Sequence, residues 1–380
     1  MPAESFTVDV NPAVLRWARE TAGYSLSQVA ERCRVSEDAV AGWESGKPQP
    51  TWSEVSRLAK VYRRPVSALL LADPPDEPPP PMDYRTLPDA KRDLSPKTRL
   101  AIRTARWLVR RACELERELG VTNGFQATRA SLSDDPEGVA DQFRRRLGVA
   151  ISEQTGWRSV AEALRRWRVA VEAQHVFVFQ FRMPVEEVRG FSLVEEDRPA
   201  IVLNAADATS ARIFTLFHEY AHLLTAHPGM CIPEEGHAQE PKPVEVFCNR
   251  VAASFLVPLA DLKARLPRVP TDDAIAELAI RYRVSRYVVL GRMRALGAVS
   301  EKVYQQTRRR WDMEATVGTG PRRKRKGGQT RADLCLEARG RRFVSVVLEA
   351  TDRGFIPASD ATGYLGIPLG DYGTLASRVN

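Results

Sequence analysis

Two histidines lie four residues apart in residues 214–224, and a glutamate directly follows the first. The apolar residues around His218, Glu219 and His222 predict a helix over about 207–226, capped by Asp207, on which residues four apart share one face. Two imidazoles on one face can bind a single Zn²⁺, and the Glu219 carboxylate can accept a proton from water as general base. A chain of this length and composition is expected to contain fewer than roughly 0.01 matches to this pattern by chance. The alternative is a pair of hydrogen-bonded core histidines.

A catalytic zinc site needs a third protein ligand, because its fourth position is kept for water or substrate. Thr225 and Pro228 occupy the positions at which the metzincin pattern requires glycine and histidine. Glu245 follows His222 by 23 residues on a second predicted helix, which is the arrangement of gluzincin-type peptidases. We therefore expect three metal ligands, His218, His222 and Glu245.

The five cysteines are widely spread, which argues against a disulfide-stapled secreted scaffold and favours a reducing compartment. Cys231 and Cys248 stay open as alternative metal ligands. The N-terminus has no basic or apolar leader, and no apolar run approaches the length of about 18 residues that spans a bilayer. We expect a cytoplasmic protein without membrane contact.

The elements that must position these residues form a multidomain chain, mainly α with an α+β part. Six prolines in residues 73–81 predict an extended spacer, and residues 318–328 predict a basic linker. Strand-like runs occur at 176–179, 201–204 and 343–348. The expected parts are a five-helix domain at 1–72, a proline-rich linker at 73–92, a gluzincin-like α+β metallopeptidase domain at 93–265, a helical segment packed on it at 266–312, a basic disordered linker at 313–330 and a small C-terminal α/β region at 331–380.

The N-terminal part begins with a helix capped by Asn11 and closed by Gly23. Two short helices follow, joined by a tight turn at Val35-Ser36, and the second ends in the sequence Trp-Glu-Ser-Gly-Lys at residues 43–47. Residues 11–72 resemble the helix-turn-helix domain of the Cro/cI (XRE) family. The resemblance implies that the third helix enters the major groove of an operator in double-stranded DNA. It implies base contacts from Ser36, Glu37, Asp38 and Ala41 and phosphate contacts from Gln28 and Lys47. The alternative is a helix bundle that binds proteins.

The charge of this part gives DNA binding little support. Residues 1–75 contain nine basic and nine acidic side chains, although the whole chain has a net charge of +8. Residues 308–326 alone carry a net charge of +6. Phosphate attraction in the N-terminal part must therefore be local, and we expect a homodimer to supply the affinity.

Residues 212–222, together with Glu245, Asn249, Ala252 and Pro258, resemble the ImmA/IrrE metallopeptidases. With the N-terminal part, the chain is similar to XRE-plus-ImmA/IrrE fusions. The resemblance implies a DNA-binding regulator with a zinc-dependent endopeptidase that cleaves a repressor, a partner protein or itself and so relieves repression. The alternative is a non-catalytic regulator or antitoxin, whose peptidase-like fold binds a ligand or a toxin partner.

Three further features remain open. A substrate peptide is expected to add as a strand along residues 191–194. His227 and His237 are candidates for stabilising the oxyanion, although both lie in predicted loops. Residues 271–293 form a second helix-turn-helix-like segment, for which we expect packing on the peptidase domain. The functional alternative is that it contacts phosphate through Arg286, Arg292 and Arg294.

If the basic run at 318–328 assists DNA binding, it acts as a mobile arm that contacts phosphates. Deleting it is then expected to weaken binding and to flatten the salt dependence of the affinity, because fewer counterions are released. The preferred sequence stays the same. Fluorescence anisotropy with one operator and one scrambled duplex at several salt concentrations measures both effects. A salt slope that the deletion leaves unaltered would contradict this role.

Overall fold

The computed structural model describes residues 6–81, 94–126, 129–227, 230–231, 242–317 and 328–379. They divide into two compact units. The first comprises the described residues up to Pro80 and those from 94 to 104, and the second comprises Pro81 and the described residues from Ala105 onward. Helix α6, Pro96–Glu118, has residues in both. Within the described residues, no helix is long and apolar enough to cross a membrane.

The first unit contains the five expected helices. They are α1 Pro12–Ala22, α2 Leu26–Cys33, α3 Glu37–Ser45, α4 Trp52–Tyr62 and α5 Val66–Leu69. Side-chain caps fix their starts, because Asn11, Ser25, Ser36 and Thr51 each accept a backbone N–H of the helix that follows. The helices enclose a core that includes Leu15, Leu58 and Tyr62.

The second unit contains a four-stranded sheet and most of the helices. In chain order its elements are α7 Pro136–Leu147, α8 Ile151–Gly156, α9 Val160–Glu172, β1 Phe177–Phe181, β2 Gly190–Glu195, β3 Arg198–Asn204, α10 Thr209–Leu224, β4 Met230–Cys231, α11 Pro243–Leu256, α12 Leu259–Lys263, α13 Asp272–Tyr282, α14 Arg286–Ala295, α15 Glu301–Val317, α16 Arg331–Arg339, α17 Arg341–Asp352, α18 Ala358–Leu365 and α19 Tyr372–Val379. The strand order is β1-β3-β2-β4, with β1 parallel to β3 and the other pairs antiparallel.

Helices cover both faces of the sheet. Val178 and Ile201 belong to the same apolar core as Trp167 of α9 and Phe217 of α10. On the opposite face, the rings of Phe177 and Phe179 pack edge-on against the ring of Phe343 in α17, with centroids 6.4 and 5.7 Å apart. The C-terminal helices therefore complete the layer that encloses the sheet.

The expected strand at 343–348 is wrong, since these residues lie within α17. Within the described residues after Cys231 the regular structure is helical, so the C-terminal region is not α/β. The run is rich in β-branched residues, but Phe343, Val347 and Ala350 also share one helical face and are fully buried. Packing against β1 outweighs the local strand propensity.

Glu172, at the end of α9, helps to hold α17 on the sheet. It is 5% exposed, and its carboxylate accepts a hydrogen bond from the Arg341 N–H at 3.2 Å. Gly340, with φ of 79°, makes this approach possible, because a side chain there would collide with the carboxylate. Burial is the largest influence on Glu172 and raises its pKa to about 7, against the opposing effect of the Arg168 guanidinium.

Replacing Glu172 with glutamine is expected to change how stability depends on pH. The folded chain holds the Glu172 proton more tightly than the unfolded chain, so this stabilisation is complete below a pH of about 4.5 and is lost as the pH rises to about 7. Glutamine does not ionise. We expect the variant to gain about 1–3 kcal/mol relative to the parent between about pH 5 and about pH 8. Urea unfolding of both proteins at the two pH values tests this, and equal pH dependence would contradict it.

Candidate metal centre and nucleic-acid interface

The helix with the two histidines, α10, begins later than expected. The expected cap, Asp207, instead precedes the N-cap residue Ala208 and accepts its N–H at 2.7 Å. The helix ends at Leu224, and Ala226, the expected end, has a φ of 55°. Its residues from Thr215 to Leu224 are all buried, because α10 packs against the sheet, α9 and α11. A helix that is apolar on nearly every side belongs in a core.

Glu245 lies in the first turn of α11, which packs directly on α10. The imidazole nitrogen Nε2 of His218 is 3.4 Å from Glu245 Oε2, and that of His222 is 3.1 Å from Glu245 Oε1. The two Nε2 atoms are 3.1 Å apart. All three side chains are fully buried. The fold therefore brings together the three residues that the sequence predicts as ligands.

These distances fit a zinc ion. Nitrogen and oxygen ligands lie about 2.0–2.1 Å from zinc, and in a tetrahedral site such ligand atoms are about 3.3 Å apart. The three separations of 3.1–3.4 Å bracket this value. Of the groups of three or more possible ligand side chains among the described residues, this is the one that meets the spacing for a metal ion. Two imidazoles and a carboxylate are also a ligand set that zinc accepts in catalytic sites.

The electrostatics of the three residues favour a cation. Burial, the largest influence, would raise the pKa of Glu245, but hydrogen bonds with His218 and His222 outweigh it and hold that pKa well below its usual range. Burial would lower the pKa of His222, but contacts with Cys248 and Glu245 outweigh it and raise that pKa. A buried carboxylate beside two imidazoles supplies a negative charge that a divalent cation would balance.

Of the two cysteines that the sequence leaves open as metal ligands, the structure describes the side chain of one. Cys248 lies three residues after Glu245 on α11, and its thiol contacts the His222 side chain. Burial raises the pKa of this thiol, which disfavours the thiolate that zinc binds. Cys248 is not in the cluster of three ligands, and its contact suits a group that orients His222. The side chain of Cys231 lies outside the described part.

The carboxylate of Glu219 follows the first ligand and is fully buried. Its Oε2 atom accepts a hydrogen bond of 2.7 Å from the hydroxyl of Ser192, on the neighbouring strand β2. Ser192 is not among the metal-site residues that the sequence predicts. The sequence feature that points to it is the alternation in β2, where Ser192 is a small polar residue between the apolar Phe191 and Leu193.

The edge expected to receive a substrate strand is partly occupied. Phe191 pairs with Val202 of β3 on one side and with Met230 of β4 on the other, because the chain returns to the sheet after α10. Among the described residues, no strand pairs with that edge of β2 beyond Phe191. Because Phe191 already pairs with β4, the prediction of a substrate strand along residues 191–194 is wrong at this residue. His227 is exposed just after α10, and His237 lies outside the described residues.

The residues predicted to contact DNA lie on α2, on α3 and just beyond them. Most are exposed, and only Ala41 is half-buried: Gln28, Ser36, Glu37, Asp38, Ala41 and Lys47. Two of them also cap helices. The Gln28 side chain accepts the Ser25 N–H at 3.0 Å, and the Ser36 hydroxyl accepts the Ala39 N–H at 3.2 Å. The first turn of α3 thus presents Glu37 and Asp38 to solvent.

Helices α13 and α14 repeat the turn between α2 and α3. Arg283, with φ of 60°, and the N-cap Ser285 match Arg34, with φ of 56°, and the N-cap Ser36. The second helix of each pair has different surroundings. The start of α3 is exposed, whereas the start of α14 contacts α15. The Tyr287 hydroxyl donates to Asp312 of α15 at 2.8 Å.

The three arginines of this segment that were candidates for phosphate contacts bind other parts of the protein. Arg286 lies over the ring of Trp311 at 4.3 Å, and Arg294 lies over that of Tyr304 at 4.2 Å. Arg292 is buried and donates to the carboxylate of Glu137. These contacts therefore support packing of the segment on the peptidase domain rather than phosphate binding.

Comparison with known families agrees with this geometry. Residues 171–294 match the IrrE N-terminal-like domain of the M78 peptidases, which includes α10 and α11. Residues 13–70 match a helix-turn-helix domain. No curated protein matches the chain. The chain thus joins an XRE-type helix-turn-helix domain to an IrrE/ImmA-like peptidase domain.

Proposed function

We propose that the chain is a DNA-binding transcription regulator whose second unit hydrolyses a peptide bond in a repressor, a partner protein or itself. The observation that carries the proposal is the buried set of His218, His222 and Glu245 at zinc spacing, with Glu219 directly after the first ligand. The helix-turn-helix domain supports the regulatory half, with an operator in double-stranded DNA as its target. We further propose a cytoplasmic homodimer. Two domains bound to paired half-sites would compensate for the absence of net positive charge on a single domain.

In this proposal each residue of the site has a separate task. His218, His222 and Glu245 hold the metal, and Glu219 accepts a proton from the attacking water and later gives it to the leaving amine. A zinc ion bound there supplies Lewis acidity, which polarises the scissile carbonyl and lowers the pKa of water. Glu219 suits its task because it adjoins a ligand in sequence and has a hydrogen-bond partner of its own in Ser192.

The burial of the site bears on when cleavage occurs. His218, Glu219, His222 and Glu245 are each 0% exposed, so a protein substrate does not reach them in this conformation. A rearrangement of the surrounding chain must precede cleavage. This supports a regulated peptidase that stays closed until a signal arrives. It also favours the alternative, in which the peptidase-like fold is a non-catalytic binding module of a regulator or antitoxin.

Replacing Glu219 with glutamine distinguishes the two functions. We expect zinc to remain bound and cleavage to fall about 10²–10⁴-fold, because glutamine does not accept the proton from water. Fluorescein-labelled casein is the probe in vitro, and derepression of a reporter is the readout in cells. The matched control is Glu349→Gln, on an exposed residue of α17. If the Glu219 variant cleaves and derepresses as the parent does, the catalytic function is wrong.

The metal ligands are tested by the zinc content of the purified chain. We expect about one zinc per chain, which Glu245→Ala reduces severalfold after dialysis, because two histidines alone bind zinc weakly. Cys248→Ser is the matched variant on the same helix and is expected to retain the metal. Elemental analysis measures all three proteins. Zinc that survives Glu245→Ala but is lost in Cys248→Ser would make Cys248 the third ligand.

A further inference from the structure

Strand β2 runs close along helix α10. A Cβ atom at Gly190 would lie 2.5 Å from Thr215 Cγ2 and 2.7 Å from the Val202 carbonyl oxygen, so the strand approaches the helix closely only because this residue is glycine. Ser192 is the next residue on the same face of the strand, and Glu219 is the next on the same face of the helix. Two strand residues advance about 6.7 Å and four helix residues about 6.0 Å, so the two elements stay in step.

This match brings Ser192 to Glu219. The hydroxyl donates to Oε2 at 2.7 Å, which is a short hydrogen bond of the kind that a carboxylate accepts. Both side chains are 0% exposed. A buried carboxylate needs such donors, because it has lost its contact with bulk water.

We propose that Ser192 is a positioning residue of the peptidase, which holds the Glu219 carboxylate in one orientation beside the metal ligands. The proposal rests on the proposed function and adds a residue to it. A glutamate side chain has three rotatable bonds, and a general base must lie within hydrogen-bond reach of the proton that it accepts. Displacing a catalytic group by about 1 Å can cost about 10²-fold in rate. Gly190 contributes indirectly, since it lets β2 come close enough.

The position of Ser192 also relates the base to the substrate. Ser192 directly follows Phe191, the last residue of β2 that pairs with β4. A peptide that adds to the remaining edge of β2 would thus pair with the same strand that orients Glu219. One element then sets the distance between the scissile bond and the base.

The test compares Ser192→Ala and Ser192→Thr with Ser254→Ala in the full-length, zinc-loaded chain. Ser254 is the matched control, because it is also buried and donates to a carboxylate, that of Glu137, at 2.8 Å. For Ser192→Ala we expect kcat on labelled casein to fall about 10- to 100-fold with KM within about twofold, while the zinc content stays the same. Threonine keeps the hydroxyl and is expected to restore most of kcat. Ser254→Ala is expected to retain it.

A second measurement does not depend on turnover. Acetohydroxamic acid is a zinc ligand with a hydroxyl group that can donate to a neighbouring carboxylate, so its affinity would report the orientation of Glu219. We expect Ser192→Ala and Glu219→Gln each to weaken acetohydroxamate binding about tenfold by calorimetry, and Ser254→Ala to leave it unaltered.

The outcomes separate this inference from the proposed function. If Glu219→Gln is inactive but Ser192→Ala cleaves casein and binds acetohydroxamate as the parent does, the positioning role is wrong and the peptidase stands. If the parent neither cleaves casein nor derepresses the reporter in cells, the proposed function fails, while the acetohydroxamate affinities still decide the role of Ser192. Should Ser192→Ala not fold, Ser192→Cys keeps the side-chain volume with a much weaker donor. Parent-like values in that variant would overturn the proposal.

Discussion

The architecture of the second unit depends on placing three polar side chains, at a spacing that suits a metal ion, where water does not reach them. A buried carboxylate and two buried imidazoles are costly unless they compensate one another. Glu245 lies within 3.4 Å of both His218 and His222, so its carboxylate offsets part of the cost of burying the two imidazoles. The flanking parts of α10 and α11 are therefore free to be apolar, and they join the sheet and α9 in one continuous core.

The other end of α11 is fixed by polar side chains from three different helices. The last carbonyl groups of a helix have no partner within it. Arg144 of α7 donates to the Phe255 carbonyl at 2.6 Å, Gln154 of α8 to that of Leu256 at 2.9 Å, and Arg292 of α14 to that of Val257 at 3.1 Å. The helix that supplies Glu245 is thus held at its start by the contacts of Glu245 with the two histidines and at its end by these donors. This explains why the second helix-turn-helix-like segment is part of the peptidase unit.

The sequence identifies two of the candidate metal ligands because their spacing is local. Residues four apart on a helix share a face whatever surrounds them, so His218 and His222 could be identified without knowing the fold. Ser192 could not, because its role depends on how closely β2 approaches α10 across a sequence separation of 27 residues. The same limit explains α17. Local propensity in residues 343–348 favours a strand, but these residues lie in α17, where Phe343 packs on Phe179 of β1.

The two helix-turn-helix pairs show that a turn does not by itself establish DNA binding. The turn with Arg34 and Ser36 and the turn with Arg283 and Ser285 have the same conformation. What differs is the surface of the helix that follows. Glu37 and Asp38 face solvent at the start of α3, whereas α15 covers the start of α14. The recognition helix of a helix-turn-helix domain contacts base edges with its N-terminal residues. These residues are exposed in α3 and half-buried in α14. The acidic first turn of α3 also presents hydrogen-bond acceptors, which suit the amino groups of cytosine better than the acceptor atoms of guanine.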